Sequence, residues 1–279
     1  MRTYGELRLI EGDTAWEMSS LEPHVAIRLK HIFPRVPKQS AGPFRFPRDL
    51  MHAADLDWFL SRYPLAMSPG DREALRGGRL DFEMQQAEIE RILLPEYVPP
   101  AVVGLREDQK VRHYQMQAVE LLRRRRSLLL GDEGGLGKTY TAAAFLCAES
   151  GALPAAVVCD PHMQKQWKDK LTAFTHLRVH VISKASPYDL PPADVYVFRI
   201  SQIGGWTDIF ATDFFKAAIF DEPQSLRTGT STAKGGAAKV LANHVSYRLG
   251  LTATPIYNYG IEMWNVMQFI DDTILGSFA

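Results

Sequence analysis

Short, near-continuous apolar runs recur through the second part of the chain, each followed by small, polar or charged residues. They are SLLLG (127–131), AAVVCD (155–160), VHVIS (179–183), DVYVF (194–198), AAIFD (217–221) and YRLGLT (247–252). A strand without a polar side is buried on both faces, and stretches of helical spacing separate these runs. The pattern predicts an α/β fold: a parallel sheet with helices on both faces. Ligands of such sheets sit at the carboxyl ends of the strands, so the residues just after each run are where chemistry is expected.

Residues 1–93 are patterned differently, with arginines and aromatics in short elements. VAIRLKHIF (25–33) alternates Val25, Ile27 and Leu29 against Arg28 and Lys30, which predicts a half-buried strand. PFRFP (43–47) repeats the alternation with Phe44 and Phe46. DLDWFLSRY (55–63) and LDFEMQQAEIERIL (80–93) predict helices, the second with Leu80, Met84, Ile89 and Leu93 near one face. LPEYVPPAVVG (94–104) carries three prolines and reads as a linker. The expected division is a small α+β accessory module with its linker over 1–100, then the α/β lobe over 101–279.

Composition narrows the classes without choosing among them. Lys+Arg and Asp+Glu both number 32, so net charge announces no nucleic-acid partner and leaves only a local basic groove open. Cys147 and Cys159 have no metal-ligand spacing and read as unpaired thiols in a reducing compartment. The start MRTYGELRLIEGDTAW has no apolar core of a leader, and no run has the length of a membrane span. The expectation is a cytoplasmic protein (nucleoid-associated, or nuclear in a eukaryote) with no membrane partner.

The first run opens into GDEGGLGKTYT (131–141). Its glycines let successive backbone N–H groups converge on phosphate oxygens, and the helix that follows points its positive end at the same place. Lys138 would reach the β- and γ-phosphates, and the Thr139 hydroxyl would ligate Mg2+. A glycine-rich turn that only caps a helix is the alternative, and the strand–loop–helix context argues against it. AAIFD runs into DEPQ (221–224). Asp221, at a strand end, suits the metal, and Glu222 suits a water that it orients and deprotonates. A solvated turn pair is the alternative. After the last run, LTATPIYN (251–258) offers the Thr252 and Thr254 hydroxyls, which could connect the phosphate site to another surface. Pro255 then directs the chain into the helix GIEMWNVMQFI (260–270).

In this order the three stretches resemble superfamily-two helicase-like ATPases and, within them, the Swi/Snf-type DNA translocases. DEGGLGKT (132–139) is similar to that family's first motif, which typically begins with Asp, so Asp132 marks a subfamily. VRHYQMQAVELL (111–122) resembles the motif that sets a glutamine on the adenine, which implies Arg112 and Gln115 there. VVCDPHMQKQW (157–167) and VFRISQI (197–203) resemble the regions that contact the DNA backbone. The resemblance covers about 105–279 and implies a RecA-like phosphate-loop lobe. ATP and Mg2+ would be held by Asp132, Glu133, Gly134, Gly135, Leu136, Gly137, Lys138, Thr139 and Asp221, with Lys138 and Glu222 catalytic. Duplex or forked DNA would run across Pro161, His162, Gln166 and Ser201 without base readout.

Two departures qualify the resemblance. The family's usual DEAH is DEPQ here, and Gln224 is expected to bond between the γ-phosphate site and Thr252 or Thr254 without titrating. No Q-x-x-G-R-x-x-R stretch occurs before Ala279. In the family that motif lies on a second RecA-like lobe and supplies arginines worth about 10³–10⁵ in rate in related enzymes. The expectation is therefore one lobe of a motor, slow by itself. A restriction or defence motor, or a nucleotide-gated DNA-binding module without turnover, would carry the same nucleotide residues.

Weaker signals are read plainly. RRRR (123–126) cannot share one helix face and reads as a solvated helix end. Trp167 and FRF (44–46) read as core, and His162 has no metal-ligand partner at suitable spacing. LKHIFPRVPKQSAGPFRFP (29–47) resembles the HARP-type substrate-recognition module beside some annealing helicases. That resemblance implies a basic edge of Arg28, Lys30, Arg35, Lys38 and Arg45. An accessory cap without DNA contact accounts for the segment equally.

Overall fold

Three short strands, β1 (Glu6–Leu9), β2 (Ala15–Ser19) and β3 (Phe44–Pro47), pair antiparallel in the order β1-β2-β3. Helices α1 (Pro23–Ile32), α2 (Leu50–Arg62) and α3 (Pro69–Leu93) complete this first unit, which ends at Leu94. In this computed structural model residues 2–10, 12, 14–254 and 259–275 are described, and Pro255 lies outside them. Trp16, Met18, Phe44 and Phe46 from the sheet meet Val25, Leu29, Phe33, Leu56, Phe59 and Leu75 in one core. The Phe33 ring links sheet to helix, with centroids 4.9 Å from Phe46 and 6.0 Å from Phe59.

The first unit corrects two expectations. VAIRLKHIF is helix, not strand: Val25 and Leu29 are four apart and fully buried, whereas Ile27 between them is 56% exposed. Three apolar residues at alternate positions satisfy both periods, and Pro23 in the first turn favours the helix, its ring presetting φ where no N–H is needed. The helix expected over 80–93 runs Pro69–Leu93, and Leu80, Met84 and Leu93 are exposed. Its inward stripe is rotated to Leu75, Phe82, Ile89 and Ile92, which follow heptad and i+3 steps.

The second unit, Pro95–Leu275, begins with the proline-rich stretch. That stretch forms no helix, yet Tyr97 is buried and its carbonyl lies 2.7 Å from His113 Nε2. Six strands follow: β4 (Ser127–Leu130), β5 (Ala155–Cys159), β6 (Val179–Val181), β7 (Val195–Arg199), β8 (Ala217–Asp221) and β9 (Tyr247–Leu251). They are all parallel, in the order β4-β9-β8-β5-β7-β6. Successive residues enter opposite cores. Val157, Val197 and Ile219 pack with α4 (His113–Arg125), α5 (Lys138–Ala148) and α6 (Gln164–Phe174). Val158, Phe198 and Phe220 pack with α7 (Thr207–Phe210), α8 (Ala233–His244) and α9 (Gly260–Ile270). A period-2 chain buried on both sides explains why the strands read as unbroken apolar runs.

The RRRR run ends α4 as a solvated helix end, with Arg124, Arg125 and Arg126 exposed and Arg123 half-buried. Arg126 caps α4 in the left-handed region and lies over the Tyr247 ring at 4.5 Å. Arg123 pairs with Glu120 at 2.8 Å and Glu149 at 3.3 Å. Among the described residues no helix is long and apolar enough to cross a membrane.

Candidate functional site

Strand register brings three sequence-distant segments to one edge. Leu130 pairs with Leu251, and Leu251 pairs with Asp221, so the chain leaves β4, β9 and β8 at the same height. Leu130 and Asp221 are two strand spacings apart, on the order of 10 Å. The glycine-rich loop, the Thr252–Thr254 segment and Asp221–Glu222 therefore all emerge at the carboxyl edge.

The loop after β4 is shaped by its backbone. Gly135 and Gly137 have φ of +85° and +80°, a region that L side chains enter at about 1–2 kcal/mol each. A Cβ on Gly137 would also stand 2.7 Å from Gln115 Nε2, whereas Gly134 and Gly135 face open space. Lys138 begins α5 and folds back over the loop, donating from Nζ to the carbonyls of Asp132 (2.6 Å) and Glu133 (3.1 Å). The amino end of α4 clamps the loop from the other side. Gln115 Nε2 donates to the carbonyls of Leu136 (3.1 Å) and Gly137 (3.4 Å), and Tyr114 Oη donates to Leu136 O at 2.8 Å. Gln115 Oε1 accepts from the Arg112 N–H at 2.9 Å. Beside this clamp is a cavity of about 220 Å³, lined by Gln109, Arg112, Gln115, Tyr140 and Phe174 among others. Gln115 thus borders the cavity with its amide engaged by the loop, a contact that sequence spacing did not reveal.

The acidic pair sits across β9. Asp221 Oδ2 accepts the Trp167 indole N–H at 2.7 Å. Burial pushes the Asp221 carboxyl above its ordinary value, against the Trp167 hydrogen bond and with help from the neighbouring Glu222 charge. Glu222 adopts a left-handed backbone, φ +52°, and its N–H donates to Leu251 O at 2.8 Å, which ties the turn to β9. Gln224 Nε2 donates to Glu222 Oε2 at 2.6 Å and to Thr254 Oγ1 at 3.3 Å. The Thr254 N–H in turn donates to Thr252 Oγ1 at 3.0 Å. A polar chain therefore runs Glu222–Gln224–Thr254–Thr252. Gln224 Oε1 is buried and has no hydrogen-bond partner among the described residues, an acceptor suited to a ligand-side donor.

The donor set fits a nucleotide with its cation. The open side of Gly134 and Gly135, the amino end of α5 and the Lys138 ammonium suit phosphate oxygens. Among the described residues no group of three His, Cys, Asp or Glu side chains could hold a metal. One hydroxyl, Thr139, and one carboxylate, Asp221, suit Mg2+, which takes few protein ligands and completes its shell with phosphates and water.

The strand-contact candidates lie at the same edge of neighbouring strands. Pro161 and His162 form a turn after β5, Gln166 is on α6, and Ser201 follows β7; all four are exposed. Cys159 and Arg199 end β5 and β7 in register. Beside Lys165 and Gln166, Gln164 reads as polar surface in the sequence, but it is buried and bonds Val197 O (2.9 Å) through Nε2 while Oε1 accepts from Arg199 Nε (2.6 Å). Arg199 is thereby held at this edge. In the first unit, Arg45 is ion-paired to Glu17 at 3.0 Å and Lys30 donates to Lys38 O at 2.9 Å.

A parallel sheet with a glycine-rich loop after one strand and an acidic pair after another defines a RecA-like lobe. A family profile described as SNF2-related domain matches residues 56–279, and the chain belongs to that family of helicase-like ATPases. The chain is 22% identical over 221 residues to the TATA-binding protein-associated factor MOT1 of Saccharomyces cerevisiae, covering 70% of this chain and 12% of that protein. It is 26% identical over 171 residues to a Caenorhabditis elegans homologue of the SWI/SNF-related matrix-associated actin-dependent regulator of chromatin subfamily A-like protein 1, covering 59% of this chain and 25% of that protein. The solved Sulfolobus solfataricus SWI2/SNF2 ATPase core in complex with dsDNA is similar with a TM-score of 0.57 and 26% identity. That match covers 65% of this chain and 39% of the other. The chain spans well under half the length of each of these proteins.

Proposed function

We propose that this chain is the first lobe of an ATP-driven DNA translocase, with residues 1–100 as an accessory module. The observation that supports the reading is the lateral alignment of Leu130, Leu251 and Asp221. It brings the glycine-rich loop and the Asp221 carboxylate to one edge, two strand spacings apart. Lys138 and the loop amides hold the phosphates, Thr139 and Asp221 hold Mg2+, and Arg112 with Gln115 borders the adenine. Magnesium would neutralise charge on the phosphate oxygens. Glu222 orients the attacking water and takes its proton, and Gln224 ties Glu222 to Thr254 so that hydrolysis is felt at the last strand. DNA runs across Pro161, His162, Gln166 and Ser201, contacted by its backbone. A second lobe supplies the remaining charge stabilisation, and the working compartment is the cytoplasm and nucleoid, or a nucleus.

The test is nucleotide binding and hydrolysis with no DNA, duplex DNA and forked DNA, for the wild type, Lys138→Ala and Glu222→Gln. The reading expects binding lost in Lys138→Ala and kept in Glu222→Gln, with turnover low for the chain alone. Binding unchanged in Lys138→Ala defeats it. Nucleotide binding that responds to DNA without any turnover when a second lobe is supplied would favour a gated DNA-binding module.

A further inference from the structure

Trp167 is fully buried on α6, where its ring belongs to the core that the sheet residues Ala155 and Val157 also enter. Packing accounts for the ring but not for the direction of its one polar atom. Buried indole N–H groups generally find an acceptor. Here the acceptor is the Asp221 carboxylate, 54 residues away, at 2.7 Å. A hydrogen bond to an ionised carboxylate is directional and stronger than one to a neutral acceptor. With Oδ2 on the indole, the carboxylate is held in one orientation, leaving Oδ1 for a cation.

The helix that carries this indole is itself anchored. Gln164, three residues earlier on the same face, is buried and bonds to β7 through Val197 O while receiving Arg199. Two buried polar anchors, one at β7 and one at β8, fix α6 relative to the carboxyl edge. Resting on the nucleotide reading above, we infer that Trp167 is a positioning residue that orients Asp221 for the divalent cation. It joins that carboxylate to the helix that exposes Gln166. Residues that orient metal ligands commonly contribute about 10–100-fold to metal affinity.

The experiment measures affinity for a fluorescent ATP analogue in excess Mg2+ and in EDTA, for the wild type and Trp167→Phe. Phenylalanine keeps an apolar ring in the core and removes the donor. The expected result is an affinity in EDTA equal to wild type and a magnesium-dependent gain smaller by about ten-fold. An equal magnesium gain in both proteins overturns the inference and leaves the proposed function standing. No nucleotide binding by the wild type in either buffer defeats the proposed function itself. Should Trp167→Phe fail to fold, the wild type still decides, because the chain has five tryptophans and their indole N–H resonances can be followed individually. The one that moves in Asp221→Ala is expected to shift with Mg2+ and nucleotide but not with nucleotide in EDTA. A resonance that stays put in both conditions overturns the inference.

Discussion

In the unit ending at Leu94, polar groups that link separate elements keep one partner in solvent: the Arg8 and Arg45 guanidiniums are exposed while Glu17 between them is buried. Arg8, Glu17 and Arg45 stand opposite one another on β1, β2 and β3, and both guanidiniums clasp the one carboxylate. In the unit Pro95–Leu275, linking polar groups lie deeper and gather at one edge. Trp167 meets Asp221, Gln164 meets Arg199, and Gln115 meets the phosphate loop. The contrast follows from how polar groups are valued. A solvated ion pair returns a few tenths to about 1 kcal/mol, whereas a buried donor or acceptor left without a partner costs about 1–3 kcal/mol. Bonds of the second kind hold geometry, and the unit that gathers several of them at one sheet edge is the one with candidate chemistry.

Four measurements press on that contrast, taken from the largest effect down. Phe59→Ala empties the centre of the aromatic core and should cost about 3–5 kcal/mol in denaturant unfolding of the first unit. Nucleotide affinity should be unchanged, because every residue of the proposed nucleotide site is in the second unit; a parallel loss would break the contrast. Lys138→Ala removes a cation already aimed into the loop and should weaken nucleotide binding about 100-fold by titration, with no change in unfolding midpoint. Gly137→Ala meets both a left-handed backbone and the Gln115 amide, and should weaken binding about ten-fold. The smallest effect belongs to Asp194 at the surface.

Asp194 illustrates the sign of a surface pair. The Arg178 guanidinium holds its carboxyl below the ordinary 3.8, overcoming partial burial. A carboxyl with a depressed value stabilises the fold above its unfolded value and loses that contribution as pH falls through the folded one. Arg178→Ala should therefore lower stability only slightly at neutral pH, because the guanidinium is solvated. The difference from wild type should vanish in urea unfolding carried out well below pH 3.8. A difference that grows in acid would contradict the assignment.

How far the chain could be read without coordinates depended on which interactions were local. The six apolar runs became the six strands because burial on both faces leaves no competing pattern. DEGGLGKT was legible because the loop's shape comes from its own glycines. In the first unit, Val25, Ile27 and Leu29 fitted two periods, and the first-turn Pro23 with the exposure of Ile27 separates them. The strands ELRL and AWEMS passed unnoticed, the second because buried Glu17 interrupts its alternation. At the site, residue types suggested Asp221 and Glu222, but nothing in their neighbourhood announced Trp167. A single hydrogen bond across 54 residues leaves no periodic trace. Gln115 was singled out, while its grip on Leu136 and Gly137 depends on α4 docking beside the loop.

The strand β9 stands between β4 and β8 and bonds to both. The interval separating the root of the glycine-rich loop at Leu130 from Asp221 is consequently counted in whole strands. Substitutions such as Pro223 and Gln224 after the acidic pair can alter what a turn does while the ruler beneath it keeps the same graduation.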